Sequence, residues 1–162
     1  MPQDSQVLEP TGSTAYPRTI TVVASKRGLG WDLAMEEDEN PVSELVFEKK
    51  DKMHGSDWHL LTFELHDPRG ELMFHPLAAD AIWIARGTDK AAPPCPSVRC
   101  SDPSNELRDP QITAEGNGLT IRNDNPRKCK FSFRLNFVRR RDEQLRIVAS
   151  LDPIISNKNG GV

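Results

Sequence analysis

Ten residues before its C-terminus this 162-residue chain carries Asp152-Pro153, a dipeptide with chemistry of its own. The side-chain carboxyl of an aspartate can attack its own backbone carbonyl, and the departing proline nitrogen is a tertiary amide that protonates comparatively readily. Such a bond can cut itself. A lysine held opposite could capture the activated aspartyl group as an isopeptide. A second Asp-Pro stretch resembles the first: Asp109-Pro110-Gln111-Ile112-Thr113 precedes Gly116-Asn117-Gly118, as Asp152-Pro153-Ile154-Ile155-Ser156 precedes Asn159-Gly160-Gly161. Two such strand starts side by side would bring two carboxylates together. One would stay charged as a base while the other is protonated, the division of labour of an aspartic peptidase. The plainer reading is that Asp-Pro opens turns, as expected at Asp67-Pro68 and Asp102-Pro103.

The segments flanking Asp152 must position it. From Cys129 the chain alternates, with Phe131, Phe133, Leu135 and Phe137 on one face, and Leu145, Ile147, Ala149 and Leu151 repeat the pattern on a return strand. Folding the chain at Arg141 sets Phe137 opposite Leu145 and Phe131 opposite Leu151, which places Asp152 opposite Lys130. A shift of one residue would bury the wrong face. Even shifts pair Asp152 instead with Lys128 or Ser132. An ordinary cross-strand ion pair, worth ~0.2 to 1 kcal/mol, is the alternative meaning of a Lys-Asp pairing.

The length suits one domain with a single core. Residues 1–18 are polar, with Pro2, Pro10 and Pro17, and read as a mobile arm before a domain over 19–162. Strands are expected at Thr19–Ser25, Ser43–Lys50, Trp58–Leu65, Ala81–Ala85, Gln111–Thr113, Leu119–Arg122, Cys129–Val138 and Leu145–Leu151. Trp31–Glu37 is the only helix candidate, and it reads equally as a strand. Asp67-Pro68-Arg69-Gly70 reads as a turn, and residues 87–108 as a long loop rich in proline, serine and charge. Many short strands with turn signals indicate an all-β, immunoglobulin-like antiparallel β-sandwich.

A net charge of −3 argues against a nucleic-acid or anionic-membrane surface, and the run Arg139-Arg140-Arg141 reads as a solvated hairpin tip. No apolar stretch reaches the ~20 residues of a membrane span, and the N-terminus lacks the pattern of a signal peptide, so a cytoplasmic protein is expected. Cys95, Cys100 and Cys129 make no closed disulfide set or zinc knuckle. His54, His59, His66 and His75 lack metal-binding spacing, although His66 and His75 flank a turn and could approach each other. No metal or cofactor is expected.

The DPQIT…GNGLTIRN segment, the KCKFSFRLNF strand and the terminal LDPIISNKNGG together resemble the DP-EP family of small bacterial β-sandwich proteins. The resemblance covers roughly residues 19–162, with its specific motifs after residue 108. It implies an immunoglobulin-like sandwich, autocatalytic cleavage of the C-terminal Asp-Pro bond by aspartic-peptidase-like chemistry, a lysine able to join the new aspartyl end, and self-association. Carried over by position, the scissile bond is Asp152-Pro153 and the lysine Lys130, with Lys128 as the alternative. The activating carboxylate is Asp109 or, second, Asp124. The long 87–108 loop and the polar arm depart from the family. The other functional class is a non-catalytic immunoglobulin-like module, with its contact surface in the 87–108 loop and an unknown protein partner.

Overall fold

The computed structural model describes residues 7–8, 14–47, 58–86, 107–124 and 129–158. Residues 87–106 of the expected contact loop, with Cys95, Cys100, His54 and Lys128, therefore lie outside the described residues, and the last two residues of that loop, Leu107 and Arg108, belong to a strand. Nearly everything described is strand: β1 (Val7–Leu8), β2 (Thr14–Arg27), β3 (Gly30–Glu37), β4 (Asn40–Val42), β5 (Glu44–Phe47), β6 (Trp58–His66), β7 (Leu72–Phe74), β8 (Ile82–Arg86), β9 (Leu107–Ile112), β10 (Gly118–Asn123), β11 (Cys129–Arg139), β12 (Ile147–Leu151) and β13 (Ile154–Asn157). One helical turn, α1 (Ala78–Ala81), precedes β8. No helix among the described residues is long and apolar enough to cross a membrane.

The strands form two sheets. The first runs β4-β3-β2-β6-β10-β9, with β1 on β2; the second runs β12-β11-β13-β5, with β7 and β8 also on β11. The period-two burial of β6, in which His59, Leu61, Phe63 and Leu65 point inward, shows how each sheet contributes one apolar face. The two faces meet in one core, where Phe63 stacks on Phe133 at 5.5 Å and Phe74 on Phe137 at 4.7 Å. This is the expected all-β sandwich, with two departures from a purely antiparallel one. β2 runs parallel to β6 from Ala15↔Trp58 onward, and β13 runs parallel to β5 from Ile154↔Glu44.

One local expectation is revised and one ambiguity is resolved. β2 begins at Thr14, so residues 14–18 of the expected arm belong to a strand. The ambiguous Trp31–Glu37 segment is strand β3, joined to β2 across the two-residue turn Gly28-Leu29, where Gly28 has φ 59°. A further hairpin follows, in which Glu37 pairs with Asn40 across Asp38 (φ 51°) and Glu39 (φ 67°). Two successive positive φ values are those of a type I′ turn, which matches strand twist but prefers Asn-Gly. Asp-Glu carries no such signal, which is why this hairpin is hard to read from sequence. The turn expected at Asp67 is present, and its carboxylate accepts from the backbone N–H of Arg69, Glu71 and Leu72.

Candidate functional site

β11 is the spine of the second sheet. One of its edges carries β8 (Phe131↔Arg86 to Leu135↔Ile82) and then β7 (Phe137↔Phe74), while the other carries β13 and β12. The register on that second edge is continuous, running from Cys129↔Asn157 through Ser132↔Ile154 to Leu135↔Leu151 and Phe137↔Ala149. β12 and β13 are thus one strand of a long hairpin, whose ladder from Ala149 to Asn157 lapses only at Asp152-Pro153. The cause of the break is local. Pro153 still accepts from Phe133 N at 3.0 Å but has no N–H to return, so the ladder lapses for one step.

This register puts Asp152 opposite Arg134, not Lys130. The guanidinium grips both carboxylate oxygens, with Nε 2.5 Å from Oδ1 and Nη2 3.3 Å from Oδ2. Lys130 instead faces Ser156, four residues along the strand or ~13 Å from Asp152. Its Nζ lies 3.9 Å from Glu44 Oε2. The expected pairing fails because of the turn. Asp142 builds a wide loop by accepting from Gln144 N at 3.0 Å and Arg146 N at 3.1 Å, and Leu145 enters it at φ 56°. Leu145 leaves the strand it was expected to open. A bulge beside Val138 then absorbs one further residue, so the register sits four residues from the one obtained by folding at Arg141. Arg134 shares the alternating face of Lys130, and folding the same two strands over a longer turn sets it opposite Asp152.

The Asp152-Pro153 junction opens on a cavity of about 350 Å³, lined by Leu33, Ala34, Met35, Pro41, Val42, Ser43 and Leu151. It lies where β3 and β4 of one sheet meet the end of β12 in the other. Among the described residues, Asp152 supplies the only carboxylate in this lining. Asp109 lines a different cavity, of about 440 Å³, with Ala78, Ala79, Pro110 and Gln111. It sits in β9, on the far edge of the first sheet, at φ 59° beside an irregularity in the β9–β10 ladder. The two Asp-Pro motifs are not side by side. Asp124, at the end of β10, is held between Arg122 Nε at 2.6 Å and Arg108 Nη2 at 3.1 Å.

β13 is held from several directions. It lies between antiparallel β11 and parallel β5, and its Ile155, Ser156 and Asn157 are buried. Asn157 and Asn123 exchange side-chain hydrogen bonds of 2.8 and 3.0 Å, which tie β13 to β10 across the two sheets. Buried amides require such partners, so this reciprocal pair fixes where the C-terminal strand sits. The histidines do not gather: His75 Nδ1 accepts from Leu77 N at 3.1 Å, His59 packs on Phe47 at 4.8 Å, and His66 is exposed at the end of β6. Among the described residues no three potential ligands are placed to hold a metal ion.

No family model matches the chain, and no curated protein matches it.

Proposed function

We propose that the protein is a self-processing β-sandwich that cleaves its own Asp152-Pro153 bond and retains the C-terminal strand as a non-covalent part of the fold. The observation carrying this reading is that, along the stretch of hairpin strand in constant register from Ala149 to Asn157, the one lapse in the ladder falls on the chain's most labile type of bond. Past the break, the strand is held on both edges and by the Asn123–Asn157 pair. In the step itself, a carboxyl oxygen of Asp152 bonds to the Asp152 carbonyl carbon. The bond to Pro153 N breaks, the nitrogen takes up a proton, and water opens the resulting cyclic anhydride. Net consumption is one water, and no other co-reactant is needed.

The geometry narrows the reading in two ways. With Asp109 and Asp124 away from the junction cavity, Asp152 acts through its own carboxyl, and intramolecular positioning supplies the advantage. Lys130 lies four residues away, so any isopeptide to Asp152 would join different chains. Before attack, the Asp152 carboxylate must turn away from Arg134, which makes Arg134 a restraint on the reaction. A second reading rests on that same contact. A non-catalytic module would use Arg134–Asp152 simply to bridge the proline gap in its last hairpin, since a bidentate pair spans the missing hydrogen bond. Intact-mass spectrometry of wild type and Asp152→Asn under native conditions separates the two. The proposal expects fragments 1–152 and 153–162 from wild type alone; a stable wild-type chain leaves the module.

A further inference from the structure

Arg139, Arg140 and Arg141 end β11 and enter its wide turn, and the fold brings the β6–β7 turn against them. Arg140 N donates to Glu71 O at 2.9 Å, which locks the two turns together. Between them lies a cavity of about 410 Å³, lined by Arg69, Gly70, Glu71, Arg139, Arg140 and Arg141. Lys26 adjoins it, with Nζ 3.0 Å from Glu71 and 4.0 Å from the centre of the Trp31 ring. Five cations thus face one carboxylate, in a chain whose net charge is −3.

The carboxylates flanking the cleft have their oxygens engaged by other donors. Asp67 is turned onto the backbone N–H groups of Arg69, Glu71 and Leu72, and Asp142 onto those of Gln144 and Arg146 and the Arg146 side chain. Glu71 already serves Arg69 at 2.9 Å and Lys26 at 3.0 Å. Arg140 is spent in part on Glu115 O at 2.7 Å, and Arg139 lies 5.2 Å over the Trp31 ring. Arg141 has no hydrogen-bond or ion-pair partner among the described residues. Its guanidinium is an unused fork at the mouth of a cationic cleft.

We infer that this cleft binds a compact oxyanion carrying two or more phosphoryl groups. Guanidinium forks match phosphate oxygens bidentately, and several converging on one cavity favour multiple negative charges over a single carboxylate. The volume falls at the small end of the ~300 to 1,000 Å³ of small-molecule sites. Lys26 and Arg139 already cover Trp31, leaving the cleft no aromatic face for a base. This cleft shares no lining residue with the cavity at Asp152-Pro153 and does not depend on cleavage there.

The test is isothermal titration of the full-length protein with inorganic pyrophosphate and, separately, with adenosine diphosphate, at low and near-physiological salt. The expected result is saturable binding of pyrophosphate that weakens as salt rises. Arg141→Ala and Arg139→Ala should each weaken it by about tenfold or more, the loss typical of a charged hydrogen bond. Arg141→Lys should recover part of that loss, and Lys158→Ala, on an exposed residue at the end of β13, should change nothing. Equal affinities for the two ligands would identify bare phosphate as the source, and tighter adenosine diphosphate a nucleotide; both support the site. Absence of pyrophosphate binding, or binding unchanged in Arg141→Ala, would overturn it.

Discussion

At the scale of single residues, the account turns on what holds the Asp152 carboxylate. A guanidinium is a poor acyl acceptor, so Arg134 can orient that group but cannot take up the acyl as a neutral lysine could. Arg134→Gln should therefore have two measurable effects. It should lower stability by roughly 1 kcal/mol, as expected for a partly exposed bidentate pair, in denaturant unfolding. It should also speed cleavage at residue 152, read by mass spectrometry over the same days. Asp109→Asn, in a separate cavity, should leave that rate unchanged; slowed cleavage would return Asp109 to the reaction. A different carboxylate, Glu37, contributes to acid sensitivity. Arg18 donates to both Glu37 oxygens at 2.7 and 2.8 Å, and these hydrogen bonds hold the Glu37 carboxyl below its usual value of 4.5. A lowered folded-state pKa contributes stability above about pH 4.5 that is lost as pH falls through the folded value. Glu37→Gln should thus cost most near neutrality, and its deficit should shrink on acidification, in urea unfolding at pH 7 and pH 3.

At the scale of elements, alternation made the second sheet's spine legible and turn chemistry obscured its register. Phe131, Phe133, Leu135 and Phe137 are buried as a period of two requires, so the strand and its inward face follow from the sequence. The pairing did not follow. It depends on Asp142 binding two backbone N–H groups and on Leu145 taking a left-handed conformation, neither of which alternation encodes. For β13 the Asp-Pro motif marks a strand start, but its pairing and its anchor are not legible. Its four residues continue the β12 register past a proline, and the buried Asn157 that anchors it looks like a tail residue until Asn123 is seen opposite. Asn157→Ala should cost ~1 to 3 kcal/mol by leaving a buried amide without its partner, measured by chemical denaturation. The β3–β4 hairpin gives a test of opposite sign. Glu39 sits at φ 67°, where glycine carries no side-chain penalty, so Glu39→Gly should stabilise by ~0.5 to 1 kcal/mol. A destabilised variant would show that Glu39 contributes more through contacts than it loses through backbone strain.

At the scale of the whole molecule, the two sheets share one core, and β13 stitches them together while being joined to the rest through an Asp-Pro bond. A fold built this way should tolerate that cut. Ile155 and Asn157 stay buried, and the ladders to β11 and β5 persist, so the clipped protein should keep its tail through native gel filtration and release it only on unfolding. The central claim is that the fold, rather than the dipeptide alone, promotes the cut. The most direct measurement is an intact-mass time course at neutral pH, comparing native protein with the same protein unfolded in urea. The account predicts that native chains accumulate a species ending at Asp152 with its partner beginning at Pro153, faster than the unfolded chain does. A native chain that stays whole, or clips no faster than the unfolded one, would contradict it.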